Sequence, residues 1–213
     1  MTAHAGGAAP SSDRSRLRAD MRAEMRAKRR ALPSHARASA SRQFARILRR
    51  ANLLRPGRRI GVYVAHDSEA DPSAIVRVAR RNRCELYLPA IADYRRRRME
   101  FHRYAIDTRL RPNRYGIAEP ARSAASRIAA RHLDLVLVPL VAVDAHGTRM
   151  GTGAGFYDRC LQHLRAGRRW RRPKLIGLCY ELQRVAQLDA RAWDVPLDAL
   201  LTEKDLYLLK GPL

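Results

Sequence analysis

"RRIGVYVAHDSEADPSAIVRVARRNRCELYLPAI", Arg58 to Ile91, decides the fold. "RRIGVYVA" reads as a buried strand because it is rich in β-branched residues, which suit a pleated, packed surface. "HDSEADP" leaves its carboxyl end as a polar loop. "PSAIVRVARRN" is helical, with Pro72 at its start, where a missing N–H costs nothing. "CELYLPAI" is a second strand. A helix between two strands is a βαβ unit, so the strands should lie parallel with a right-handed crossover.

Upstream, Arg16 to Leu32 reads as a helix with Leu17, Met21, Met25 and either Ala31 or Leu32 toward a core. Pro33 stops it, and a second helix opens with Ser34 as its cap. Phe44, Ile47, Leu48 and Leu54 continue the apolar stripe. Downstream, "RRRRMEFHRY" offers a short strand carrying Met99, Phe101 and Tyr104, after a solvated arginine turn. "RPNRYGIAEP" reads as a loop. "LDLVLVPLVAVD", "KLIGLCY" and the segment Ala199 to Thr202 supply further strands, and a helix is expected from Phe156 to Leu164. Alternation of strands and helices gives an α/β fold with a mainly parallel sheet. Ligands in such sheets gather at the carboxyl ends of the strands. The loops His66–Asp71 and Val143–Gly155 both fall there.

The chain has 213 residues, 46% of them hydrophobic, enough for one core. Residues 1–15 are small and polar without the apolar centre of a secretory signal, so they read as a disordered tail before a single domain at 16–213. No apolar run reaches membrane-spanning length. A cytoplasmic protein is the default expectation. Cys84, Cys160 and Cys179 form no zinc or disulfide pattern and read as buried free thiols. The net charge of +23 invites a nucleic-acid partner. All but four of the 43 basic residues are arginine, they are spread along the whole chain, and aromatics are only 6%. No stacking platform is evident, so nucleic acid stands as the alternative.

"RMGTGAGFYDRCL", Arg149 to Leu161, is the richest segment chemically. Gly151, Gly153 and Gly155 let the backbone approach a ligand, and successive N–H groups can converge on an anion. Arg149 can add a charge-assisted contact, and Asp158 is a natural Mg²⁺ ligand beside phosphates. The spacing is neither the dinucleotide fingerprint nor the P-loop. On residues alone, a glycine-rich turn and a phosphate loop both stand.

"LDLVLVPLVAVDAHGTRMGTGAGFYDRCL" resembles the signature of the 5-formyltetrahydrofolate cyclo-ligase family, on Pro139, Ala142, Asp144, Gly147, Arg149, Met150, Gly151, Gly153, Gly155, Phe156, Tyr157, Asp158 and Arg159. The likeness extends from about Arg16 to about Leu206, through "RADMRAEMRAKRRAL", "VYVAHDSEADPSAI", "NRYGIAEP", "IGLCYELQ" and "WDVPLDALLT". It implies a single Rossmann-like three-layer domain with a mainly parallel sheet and an N-terminal helical extension. It also implies ATP- and Mg²⁺-dependent closure of 5-formyltetrahydrofolate to 5,10-methenyltetrahydrofolate through a phosphorylated formyl group, in a monomer.

The roles carried over by the resemblance are these. Arg18, Arg22, Arg149 and the backbone of Met150, Gly151, Thr152, Gly153, Ala154, Gly155, Phe156 and Tyr157 would hold ATP. Arg149, Phe156 and Tyr157 would serve catalysis. His66, Glu69 or Asp71, Tyr115 and Phe156 would face the folate. Asp158 would bind Mg²⁺ with Asp194, or Asp198 in its place. Arg18 stands where lysine is common, Ala154 where some relatives carry a basic residue, and Phe156 where some have tyrosine. A relative that binds nucleotide or folate without turnover is a further alternative.

Overall fold

The structure, a computed structural model, describes residues 11–166, 172–209, 211 and 213. Of the expected tail, residues 1–10 lie outside the described residues. Helix α1 spans Ser11–Arg30 and α2 spans Ser34–Arg50, followed by β1 (Arg59–Gly61), α3 (Ser73–Arg81), β2 (Glu85–Asp93) and β3 (Arg98–Arg103). Next come β4 (Leu110–Pro112), β5 (Ala118–Pro120), β6 (Arg127–Ile128), β7 (Leu135–Pro139), β8 (Ala142–Val143) and β9 (Arg149–Met150). The chain ends with α4 (Phe156–Cys160), β10 (Lys174–Leu178), β11 (Ala199–Leu201) and β12 (Leu206–Leu208).

Eight strands form one sheet in the order β12-β11-β10-β7-β1-β2-β3-β6. The five central strands, β11 to β2, run parallel, and β12, β3 and β6 add antiparallel margins. The β1–α3–β2 unit forms as its pattern predicts. Side chains alternate across the sheet. Leu135 and Leu137 of β7 face a core shared with Phe44 and Leu48 of α2 and Ile75 and Ala79 of α3. Val136 and Val138 face the opposite core, with Phe101, Leu161 and Val195. Both faces of β7 are therefore covered, which explains its unbroken apolar run. Full burial of each such side chain contributes about 1.5–3 kcal/mol. The second face is covered by the five-residue α4, 3₁₀ turns and loops rather than by long helices.

Several sequence expectations need correction. The first helix begins at Ser11 and ends at Arg30, because small polar residues suit a helix start and the residue before Pro33 is pushed out of helical geometry. Leu17 is 64% exposed. Residues four apart drift around a 3.6-residue helix, so the stripe of half-buried Met21 and buried Met25 and Arg29 leaves Leu17 behind. Ala31 is also exposed, and Leu32 is half-buried. Ser34 makes no capping bond; Pro33 holds the cap position. The strand expected over "RRIGVYVA" keeps its ladder only to Gly61, with one further bond from the Val62 N–H to the Tyr87 carbonyl. "RPNRYGIAEP" is a hairpin, β4 against β5. The Asn113 side chain accepts from the N–H groups of Tyr115 and Ile117 at 2.8 and 3.1 Å and closes its turn. The helix expected to reach Leu164 gives way to a 3₁₀ turn at Gln162–Ala166. Among the thiols only Cys179 is fully buried; Cys84 and Cys160 are half-buried. Burial raises all three, Cys160 to about 11, so none is poised to react at neutral pH.

The strand order reverses between β1 and β7. Connections from neighbouring strands there leave toward opposite sides and open a crevice at the carboxyl edge. The loops after β1 and β7 flank it, as the sequence pattern requires.

Candidate active site

The loop after β1 turns Glu69 inward. Asp67 and Ser68 both take left-handed backbone conformations, with φ of 45° and 61°, which cost energy in residues with a side chain. Arg30 clamps Asp67 with two bonds of 2.9 and 2.8 Å. Arg29, only 2% exposed, reaches across the crevice and donates to the Leu140 carbonyl after β7 and the Asp67 carbonyl after β1, at 3.3 and 3.1 Å. Helix α1 thus ties the two walls together. Glu69 accepts from the His66 N–H at 3.1 Å. Burial lifts its pKa above the usual carboxylate range, opposed by that bond and by Arg29. His66 itself is exposed. Asp71 is occupied differently. Its two oxygens accept from the Ser73 N–H at 2.9 Å and the Ser73 hydroxyl at 2.6 Å, at the start of α3. Of the two acidic candidates, Glu69 is the one whose charge acts on Tyr157, raising its phenol further after burial has done most of the work.

The loop after β7 begins as a tight β8–β9 hairpin. Asp144 shapes it by accepting from the N–H groups of His146 and Thr148, both at 2.9 Å. Arg149 is buried, and both terminal nitrogens of its guanidinium are engaged. One nitrogen donates to the Val195 carbonyl, and the other meets Asp158 Oδ1 at 2.5 Å. This differs from the expectation of an open phosphate contact, because a buried guanidinium needs an internal counter-charge. The glycine segment follows. Gly153 has φ of 108° and Gly155 φ of 70°, so a side chain at either position would be strained. Arg22 donates from Nε to the Gly151 carbonyl at 3.0 Å, and its guanidinium carbon lies 3.9 Å from where a Gly153 side chain would begin. Thr152 and Gly153 are exposed, and Ala154 is half-buried. Arg18 donates to the Asp189 carbonyl at 2.8 Å, leaving its buried Nε without a partner among the described residues. Arg18 and Arg22 thus share one helix face, directed at the glycine loop and its neighbour.

Three aromatic rings meet beside the loop. Tyr94 packs edge-on against Tyr115 at 5.6 Å and against Phe156 at 6.4 Å. Arg114 lies over Tyr94 at 4.2 Å and Tyr115 at 5.1 Å. The tip of the β2–β3 hairpin reaches the same place: Arg159 donates to the Arg96 carbonyl at 2.7 Å, and Arg97 approaches Gly155. The sequence reading placed Tyr115 and Phe156 here but missed Tyr94, Arg97 and Arg114. The arginine run, exposed as expected, was the only local signal for Tyr94 and Arg97, and Arg114 had none. Arg29 was likewise hidden among arginines.

Asp158 Oδ2 has no bonding partner among the described residues, while Oδ1 takes Arg149 and, at 3.4 Å, the Val195 N–H. Asp194 accepts from the Arg191 N–H at 2.9 Å and lies close enough to act on Arg149. No group of three or more His, Cys, Asp or Glu suited to a metal exists among the described residues. Asp158 and Asp194 leave at most two carboxylates beside Arg149 as oxygen donors for a cation, the number that Mg²⁺ commonly takes from protein. Asp198 drops out of the set: it accepts from the Leu175 N–H at 2.8 Å, at the amino-terminal edge of β10 and so at the opposite end of the sheet.

Residues 11–203 match the model of the 5-formyltetrahydrofolate cyclo-ligase family. The chain belongs to this family. The 5-formyltetrahydrofolate cyclo-ligase of Haemophilus influenzae is 34% identical over 149 residues, covering 69% of this chain and 76% of that protein. The cyclo-ligase of Escherichia coli is 31% identical over 150 residues, covering 70% and 79%. A solved 5,10-methenyltetrahydrofolate synthetase from Aquifex aeolicus superposes with a TM-score of 0.77 at 26% identity, over 92% of this chain and 94% of that one. The cyclo-ligase family match begins at residue 11, where α1 begins, and so includes residues that composition assigned to a tail. No helix among the described residues is long and apolar enough to cross a membrane.

Proposed function

We propose that the protein catalyses ATP- and Mg²⁺-dependent cyclisation of 5-formyltetrahydrofolate to 5,10-methenyltetrahydrofolate, with ADP and phosphate as products. Family membership supports the reaction. Its placement is supported most by the bond from Arg22 to the glycine loop, beside the Arg149–Asp158 pair and the Glu69 charge that acts on Tyr157.

The formyl amide oxygen is a poor leaving group. Transfer of the γ-phosphoryl group to it, with ADP leaving, makes it a good one. N10 then attacks the formyl carbon, loses its proton, and phosphate departs as the ring closes. This chemistry asks mainly for alignment and for neutralisation of developing charge. Arg18 and Arg22 supply positive charge on the α1 side, and the backbone from Gly151 to Tyr157 lines the phosphates. Mg²⁺, when bound, would be held through the open oxygen of Asp158 with Asp194 nearby, and would offset charge on the transferring phosphoryl group. Arg149 acts through its partners: it fixes the orientation of Asp158 and the position of Val195. Phe156, Tyr94 and Tyr115 form an aromatic wall for the folate, and Glu69 offers a carboxylate to the ring nitrogens. Tyr157, its phenol held neutral by burial, can donate a hydrogen bond within the site.

The test is formation of the methenyl product by its absorbance. It is expected only when ATP, Mg²⁺ and 5-formyltetrahydrofolate are present together. Absence of product with all three present would overturn the reading.

A further inference from the structure

The segment from Asp189 to Val195 is fastened at both ends by residues of the site. At one end the Asp189 carbonyl accepts from Arg18. At the other, the Val195 carbonyl accepts from Arg149 and the Val195 N–H reaches Asp158 at 3.4 Å. Between these anchors the chain makes a closed turn. The Asp194 N–H donates to the Arg191 carbonyl and the Arg191 N–H to the Asp194 carboxylate, both at 2.9 Å. Arg165 grips the Ala192 carbonyl from outside at 2.5 Å. At the crest of this turn Trp193 is 56% exposed, with the Arg191 guanidinium 5.4 Å from its ring centre. A single exposed apolar side chain is ordinary. A rigid turn that holds one outward beside the phosphate-facing arginines is not accounted for by packing.

Arg191 also belongs electrostatically to that group. After burial, the like charges of Arg18, Arg191 and Arg26 are what lower the Arg22 pKa. Arg18 feels Arg191 next after burial. Four guanidinium groups crowded around one helix face and one loop repel each other until an anion arrives. A triphosphate supplies several negative charges to offset that repulsion.

We propose that Trp193 is the stacking wall for the base of the nucleoside triphosphate, and that Arg191 is an additional ligand to its phosphates. This rests on the nucleotide reading above and deepens it. Indole faces stack on purines with useful energy, and the hydrogen-bonded turn already holds the ring outward.

Calorimetry on the full-length protein with Mg²⁺ separates base from phosphate, using ATP and inorganic tripolyphosphate as the two probes. Trp193→Ala is expected to weaken ATP roughly tenfold and leave tripolyphosphate unchanged, while Trp193→Phe restores most of the loss. Arg191→Gln is expected to weaken both probes alike. In turnover, Trp193→Ala should raise KM for ATP and leave KM for 5-formyltetrahydrofolate in place. Equal loss of both probes in Trp193→Ala, loss of neither, or a shift in the folate KM instead would overturn the stacking wall. If the unaltered protein binds no ATP, the nucleotide reading falls and this one with it. If it binds ATP but the variants match it, only this inference falls.

Discussion

The two sides of the glycine loop are built by opposite means. On the α1 side, Arg18, Arg22 and Arg29 lie along one helix and touch the loop, its neighbour and both crevice walls directly. On the other side a half-buried carboxylate, Glu69, and three rings are assembled from the β1 exit, the β2–β3 hairpin, the β4–β5 hairpin and α4. The difference follows from what each side is proposed to bind. Phosphate is met by charge, and charge acts at a distance, so a helix face with regular spacing suffices. A flat heterocycle is met by contact, and contact surfaces must close around it from several directions.

Asp158 stands where the two sides meet, so its loss should be the largest effect. Asp158→Asn is expected to lower turnover by on the order of a hundredfold or more. It should also destabilise the fold by roughly 2 kcal/mol, because Arg149 keeps its buried charge and loses its ionic partner. Turnover and thermal denaturation measured on the same preparation check this. Normal turnover with a lowered melting temperature would make Asp158 purely a partner for Arg149 and move the metal elsewhere.

Glu69 is the corresponding probe of the folate side. Glu69→Gln should cut kcat by roughly tenfold to a hundredfold, raise KM for the folate and leave KM for ATP alone. Its stability signature runs the other way. Burial raises the folded-state pKa above the unfolded value near 4.5, so the protonated form is favoured by folding. Stability from this group is present below that value and is lost as pH rises through the folded pKa. The neutral variant should therefore be the more stable protein at pH 7, and its advantage should vanish on acidification toward pH 4. Denaturant midpoints across that range decide the matter. A variant less stable than the parent at every pH would mean that the carboxylate is structural rather than held for a substrate.

The same contrast explains what could be read from the sequence. The βαβ unit, the parallel sheet and the crevice followed from runs of residues adjacent in the chain. So did the glycine-rich turn, whose Gly153 and Gly155 need their conformational freedom whatever surrounds them. The burial of Arg149 was not legible, since Val195 lies far along the chain and nothing local shows that the side chain is sealed in. Tyr94, Arg97 and Arg114 were invisible for the same reason. They become neighbours of Phe156 only when two hairpins fold over it. Arginine abundance hid the rest. Among 43 basic residues, no composition argument separates Arg29, nearly inaccessible to solvent, from Arg30 beside it, which faces water.

Asp71 offers the smallest and sharpest contrast with Glu69, two residues away. Both are acidic residues of one loop, and sequence alone left either free to contact the folate. In the fold, both oxygens of Asp71 accept from Ser73 at the start of α3, and its carbonyl accepts from the Ser41 hydroxyl of α2 at 2.8 Å. Asp71→Ala should therefore behave as the loss of a helix-start bond. Stability falls by about 1 kcal/mol, while kcat and both KM values stay near those of the parent. Parallel steady-state kinetics on Asp71→Ala and Glu69→Gln set the comparison. If Asp71→Ala raises the folate KM as much as Glu69→Gln does, the carboxylate that meets the substrate is not confined to Glu69. The inward turn at Asp67 and Ser68 would then have to deliver both side chains to the crevice, against the hydrogen bonds that hold Asp71 to α3.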